Sequence, residues 1–323
     1  MNFYIFHFCR KKGYYGEIHN ADRPSGKRQN HLRPSLLEGN EDWVHLSSDE
    51  ITNRSRLPGE SVDYQNTFEE MYQQTFHHLE NGSNVIYDAT NLASKRRRSI
   101  LNRIEKFEAE TEAIIFLTPH ALLKKRNSKR QTVDRVPGHI IERYIRAFQL
   151  PRKDENFGWI RFLSMPPYKE INPEQLKTQA LLFEGHELFF KSFEETRPMA
   201  ETAEMRALLQ QNYGIIREIS KEVSDFEEQE LLSWTILLHN IGKAYVRKNL
   251  PIEQDNFYGY EHVSAYLAYQ ILLSLQFPLR FIYDVLLLID EFEIGKELKR
   301  GKVKRRVGLE NYERLEMLWR ISV

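Results

Sequence analysis

Val85-Ile86-Tyr87-Asp88-Ala89-Thr90-Asn91 is a short apolar run that stops on a carboxylate. Its β-branched and aromatic residues favour an extended strand, and the Asp, Thr and Asn that follow favour a turn. Upstream, Thr67–Leu79 has helical spacing and closes on Asn81-Gly82, where glycine can take a left-handed cap. Further upstream, Trp43–Leu46 reads as a second buried strand. Downstream, Lys95–Phe107 reads as a helix and Ala113–Leu117 as a third strand, bounded by Pro119. Strands alternating with helices predict a parallel sheet flanked by helices, an α/β fold.

Past Leu150 the pattern changes. Prolines at 151, 166, 167 and 173 mark a linker or irregular crossover. Helical spacing then dominates in Glu204–Lys221, Glu227–His239, Glu261–Leu275, Leu279–Ile289 and Leu309–Arg320, which predicts an all-α second half. The expected division is residues 1–30, 31–165 for the α/β domain, 166–200 for the linker and 201–323 for the helical domain. The length of 323 residues accommodates two cores. Hydrophobic residues at 41% and charged residues at 28% exclude a disordered chain. Lys and Arg number 46 and so do Asp and Glu, which excludes a uniformly basic nucleic-acid binder but leaves room for a local basic groove. The single cysteine, Cys9, excludes a disulfide framework and a thiolate zinc cluster, and so points to a reducing cytoplasm. No apolar run is long enough to span a bilayer, and the N-terminus lacks the long apolar core of a signal peptide.

Three clusters carry candidate chemistry. Asp49 follows the Trp43–Leu46 strand, and in a parallel sheet the carboxyl ends of strands line the ligand crevice. A carboxylate there can take a proton from a substrate hydroxyl, although such an Asp is also a common helix N-cap. Asp88, ending an apolar strand, has the form of a Walker-B residue that contacts Mg²⁺ directly or through water. Arg126 and Arg130 are four apart, so on a helix they would share a face and clasp a phosphoryl group. The run Lys95–Arg98 reads instead as the solvated start of a helix.

In order and spacing, S-x-D-E-I after a strand, V-I-Y-D-A-T-N, and R-N-x-x-R followed by V-P resemble P-loop kinases of the polynucleotide 5′-kinase type. The resemblance covers roughly residues 25–163. It implies Asp49 as general base, Arg126 and Arg130 as lid arginines on ATP phosphates, and ATP with Mg²⁺ as cofactors. The family often has an arginine three residues after the base. Thr52 stands there in this chain, so Arg54 and Asn91 are the candidate acceptor-binding residues.

Such a kinase needs a strand, then G-x-x-x-x-G-K-[ST], whose amides and lysine cradle phosphates and whose hydroxyl ligates Mg²⁺. The matching place is Ala21–Gln29, where only Gly26 and Lys27 fit, and Arg28 replaces the hydroxyl. Back-translation offers a reason. Read one nucleotide forward, the codons of His19–His31 all permit I-M-L-I-G-L-P-G-S-G-K-T-T, a strand running into an intact phosphate loop. The first 30 residues are then expected to be an out-of-frame reading, with the frame restored near Asn30–Pro34. The alternative is a degenerate pseudokinase.

In the second half, Trp234–Tyr245 (W-T-I-L-L-H-N-I-G-K-A-Y) and Asn256–Ala268 (N-F-Y-G-Y-E-H-V-S-A-Y-L-A) resemble the HD phosphohydrolase superfamily. That resemblance implies a divalent metal held by converging His and Asp side chains. His239 remains, but Asn240 replaces the aspartate and Tyr260 a histidine, with His262 two residues on. Glu204-Met205-Arg206 lacks the expected upstream histidine, and no aspartate follows near Trp319–Ser322. His239 and Asn240 are thus vestigial positions, and the domain is expected to be metal-free and incomplete at its C-terminus.

Two functions stay open at this point. One is a cytoplasmic, membrane-free ATP-dependent kinase that phosphorylates a hydroxyl, foremost the 5′-OH of RNA or DNA in end repair, with nucleic-acid ends as partners. The other is a non-enzymatic module that binds such ends or a protein.

Overall fold

The computed structural model describes residues 3–10, 43–55, 64–131, 135–162, 171–249 and 259–322. Among the described residues, no helix is long and apolar enough to cross a membrane. Gly26 and Lys27 lie outside the described residues. By packing, the chain divides into two units. One comprises 1–118 with 155–166, and the other comprises 119–154 with 167–323.

The first unit is built on a five-stranded sheet. Its strands are β1 (Phe3–Arg10), β2 (Trp43–Ser47), β3 (Asn84–Asp88), β4 (Glu110–Leu117) and β5 (Trp159–Phe162), ordered β2-β3-β1-β4-β5. The pairs β2–β3 and β4–β5 are parallel, as the strand–helix alternation predicts. The central β1 corrects that expectation, because it runs antiparallel to both neighbours and the sheet is mixed. An apolar strand sequence does not encode the direction of its pairing, which is set by the connection that follows it. β5 is the second correction. It lies in the proline-rich stretch expected to be irregular, and only its Phe162 is buried. An edge strand with one buried residue carries almost no apolar pattern.

Helices α1 (Ser48–Ser55), α2 (Tyr64–Glu80) and α3 (Ser94–Ile104) belong to this unit. β3 and β4 are almost wholly buried, as expected of strands covered on both faces. Met71, Val85, Tyr87, Ile100 and Ile104 form the core between α2, β3 and α3.

The second unit is helical, as expected. It begins with α4 (His120–Ser128) and α5 (Gly138–Ala147), which lie within the segment read from sequence as part of the α/β domain. There follow α6 (Pro173–Leu181), α7 (His186–Lys191), α8 (Pro198–Glu201), α9 (Ala203–Glu222), α10 (Phe226–Leu238) and α11 (Ile241–Asn249). The last five are α12 (Tyr260–Ser274), α13 (Leu279–Glu291), α14 (Ile294–Glu297), α15 (Arg300–Val307) and α16 (Leu309–Ile321). From Leu231 to Leu238 every residue of α10 is buried, and α12 is nearly as enclosed, so these two are central helices. Gly242 makes their neighbour fit. A Cβ there would stand 2.2 Å from the Tyr260 carbonyl oxygen, so glycine lets α11 lie against α12.

Candidate active site

In the first unit, parallel pairing puts Ser47 opposite Asp88, so β2 and β3 end side by side. The chain passes from β2 straight into α1. The Ser47 hydroxyl accepts from the Glu50 amide at 3.4 Å, and this makes Ser47 the cap. Asp49 is therefore not spent as an N-cap. It sits in the first turn of α1 with its side chain exposed.

Asp88 is the most constrained of the predicted residues. Its Oδ2 lies 2.9 Å from His45 Nε2, while its Oδ1 is buried and has no hydrogen-bond partner among the described residues. Burial pushes the Asp88 carboxyl above the ordinary carboxylate range. The His45 hydrogen bond opposes this, and the nearby charges of Asp49 and Glu50 reinforce it. The structure thus brings Asp88, Asp49 and Glu50 within electrostatic reach of each other. His45 was missed in the sequence. Its signal was positional, since it pairs with Ile86, two residues before Asp88, and so shares a sheet face with it.

Asn91 and Arg54 are placed differently from one another. Asn91 is 2% exposed with φ of 39°, a left-handed turn conformation that Asn tolerates, and its carbonyl accepts from Arg97 Nη1 at 3.0 Å. It shapes the turn after β3. Arg54 is exposed at the end of α1 and lines a cavity of about 520 Å³ with Glu50, Asn53, Gln74, His78 and residues of β2. Thr52, where the family has an arginine, instead ties α1 to α2 through a 3.2 Å contact with the Thr67 hydroxyl.

The basic run Lys95–Arg98 needs correction at one position. Arg97 is fully buried, its Nε and Nη2 donating to the two carboxylate oxygens of Glu155 at 2.7 and 2.8 Å. Its Nη1 also donates to the Leu92 carbonyl at 2.8 Å. A fork that satisfies a carboxylate and two carbonyls is one of the few ways to bury a guanidinium. Arg97 fastens the turn that carries Asp88–Asn91 to the segment before β5.

Arg126 and Arg130 lie in the second unit. The expectation that they share a helix face is corrected, because α4 ends at Ser128 and Arg130 follows in the turn, exposed. Arg135 and Asn127 hold that turn. Arg135 donates to the carbonyls of Ser128 and Arg130 at the helix end, and the Asn127 amide exchanges two hydrogen bonds with the backbone of Val136. Arg126 is half-buried, and burial pulls its guanidinium below the usual arginine range. Its Nη1 is buried with no hydrogen-bond partner among the described residues, an arrangement that an anion would satisfy.

His239 follows α10, packed against Phe292, with Nδ1 2.8 Å from the Ile236 carbonyl. Burial pushes its pKa down to about 4, so the neutral ring donates from Nδ1 at neutral pH. Asn240 forms a buried amide pair with Asn212 of α9, at 3.2 and 3.4 Å. Asn212, which sequence reading passed over, lies on the same helix as Glu204-Met205-Arg206, where the upstream histidine was expected, but six residues further on. Among the described residues, no group of three or more His, Cys, Asp or Glu side chains is placed to hold a metal.

Residues 29–151 match a family model described as an AAA domain. The matched span holds Asp49, Asp88, Asn91, Arg126 and Arg130, and begins after Gly26 and Lys27. No curated protein and no solved structure matches the chain. At a coarse level the match supports a nucleotide-handling P-loop domain of the kinase or NTPase kind.

Proposed function

We propose that this chain is a P-loop phosphotransferase moving the γ-phosphate of ATP to a hydroxyl, foremost the 5′-OH of RNA or DNA. The observation that carries the reading is the pair of aligned strand ends, with Asp49 within electrostatic reach of Asp88, inside the span that matches the AAA domain.

Two of the contacts this reaction requires, one to a cation and one to a phosphate, fit residues that are present. A buried carboxylate oxygen without a partner suits one contact to a divalent cation, and Asp88 is the residue that would make it, with ATP phosphates and water supplying the other ligands. A buried guanidinium nitrogen without a partner suits a phosphate oxygen, and Arg126 offers one. When bound, ATP supplies the phosphoryl group and Mg²⁺ spreads its charge. Asp49, exposed in the first turn of α1, accepts the proton of the acceptor hydroxyl. Arg54 and the adjoining cavity offer the acceptor strand a cationic contact.

The phosphate loop is the missing part, and the out-of-frame reading of the first 30 residues accounts for it. The direction of β1 supports that reading. Arg10, at the end of β1, pairs with Glu110 at the start of β4, so the chain leaves β1 at the sheet edge away from Asp88. A parallel strand followed by G-L-P-G-S-G-K-T-T would leave it at the edge where Ser47 and Asp88 lie.

The test is transfer of labelled γ-phosphate to 5′-OH oligonucleotides of RNA and of DNA by the full chain with its first 30 residues translated in the shifted frame, which restores the phosphate loop and is the parent chain of every comparison below. Transfer should appear and fall by about 10²–10⁴-fold in Asp49→Ala, the range for losing a general base. ATP binding without transfer, or neither, would instead favour a non-enzymatic end-binding module. Sequencing the coding DNA across residues 1–34 decides the frame: if the shifted frame does not spell the loop, that explanation fails.

A further inference from the structure

Helix α4 carries Arg126 but has little apolar grip of its own. Of its nine residues only His120 and Leu123 are buried. A helix so weakly packed takes its position from whatever holds its ends. The C-terminal end is held by Asn127 and Arg135, and the N-terminal end by His120.

His120 is 5% exposed and enclosed by three other elements of the helical unit. Its Nε2 lies 3.3 Å from a carboxylate oxygen of Glu142 on α5 and 3.1 Å from the hydroxyl of Tyr245 on α11. Its Nδ1 lies 3.7 Å from Glu195, in a short turn at Glu194–Thr196. The Tyr245 hydroxyl in turn donates to the other oxygen of Glu142, and the two rings meet edge-on at 5.4 Å. Burial alone would lower the His120 pKa, but the hydrogen bonds to Glu142 and Glu195 outweigh it and leave the ring easier to protonate. A buried polar knot of this kind contributes one defined arrangement more than it contributes stability.

Tyr245 closes the segment W-T-I-L-L-H-N-I-G-K-A-Y, which resembles HD phosphohydrolases but has an Asn–Asn pair where an aspartate would bind metal. We propose that the helical unit serves as the mount for the phosphate-binding arginine: Tyr245, Glu142 and Glu195 grip His120 and so set α4 to present Arg126. His120 and Tyr245 are positioning residues here, acting through Arg126. The inference rests on the phosphotransferase reading, which gives Arg126 its ligand.

Two measurements on the full chain separate the mount from that reading. The first is hydrogen exchange without nucleotide. Tyr245→Phe and His120→Gln should speed exchange of the α4 amides by about tenfold while α9 is unchanged. The second is the KM for ATP across pH. In the parent chain KM should rise once pH passes the raised His120 pKa, with Glu142, Glu195, Lys124 and Tyr245 as the ionisable groups that face the ring. His120→Gln should abolish that pH dependence and raise KM about tenfold with kcat changed less than about twofold, the size of one charge-assisted hydrogen bond. Unchanged α4 exchange overturns the mount whatever the activity. Faster exchange with an unmoved KM in an active chain overturns its role in catalysis. A parent chain that transfers no phosphate overturns the reading beneath it.

Discussion

Asp88 holds one carboxylate oxygen against His45 and leaves the other buried without a partner. In the absence of a cation this costs stability, since burial and the charges of Asp49 and Glu50 all disfavour the ionised form. Asp88→Asn keeps the shape and a hydrogen bond to His45 while removing the charge. It should raise stability by about 1 kcal/mol, the usual yield of relieving a functional site, and abolish transfer. Thermal melts alongside the transfer assay check both halves, and a lower melting temperature would contradict the strained carboxylate. Ser47 supplies the cap of α1, and Asp49 sits in the first turn with its side chain exposed.

The turn after β3 depends on Arg97. With its guanidinium fully buried between Glu155 and two carbonyls, Arg97→Gln leaves Glu155 inside without its ion pair. Such a loss costs about 3–5 kcal/mol, whereas Arg97→Met with Glu155→Leu should recover most of it because no charge is left buried. Urea unfolding of both variants measures the difference. If the double variant is no better than the single one, the ion pair is not what fastens the turn. Elements like this mark the limit of legibility in the sequence. The strands β2, β3 and β4 were readable as short apolar runs, α2, α9, α13 and α16 from helical apolar spacing, and α10 and α12 as apolar stretches too long for a strand. Arg97 was not, since a cation inside a basic run looks the same whether it faces water or a carboxylate 58 positions away. β5 was not, because one buried residue makes no pattern. Asp49 and Asp88 were readable from their place after strands, while His45 and Asn212 owe their place to pairing and packing across elements.

Across the whole molecule, ionisable groups are buried unevenly. In the helical unit His262 and His120 are both raised above the ordinary histidine range, burial being outweighed by Asp290 for the first and by Glu142 and Glu195 for the second. A raised histidine adds stability that is fully present below its unfolded value of about 6.5 and is lost as pH climbs through the folded value. Asp290 runs the other way. His262 and Arg152 overcome its burial and hold it down to about 2, so its contribution is lost only as pH falls toward that value. His239, held down to about 4 by burial, works against this and loses stability as pH falls below about 6.5, so the histidine effect is read by difference: His262→Gln should lose more stability at about pH 5 than at about pH 8. Urea titrations of both chains at the two pH values check this, and an equal loss at both would contradict it.

The most direct measurement remains transfer of labelled γ-phosphate from ATP to a 5′-OH oligonucleotide by the full chain with the phosphate loop restored in the shifted frame, with and without Asp49→Ala. Transfer by the parent chain and its loss of about 10²-fold or more in the variant is the predicted result. Transfer that survives in Asp49→Ala, or none from the parent chain, would contradict the assignment of the paired strand ends as a phosphotransfer site.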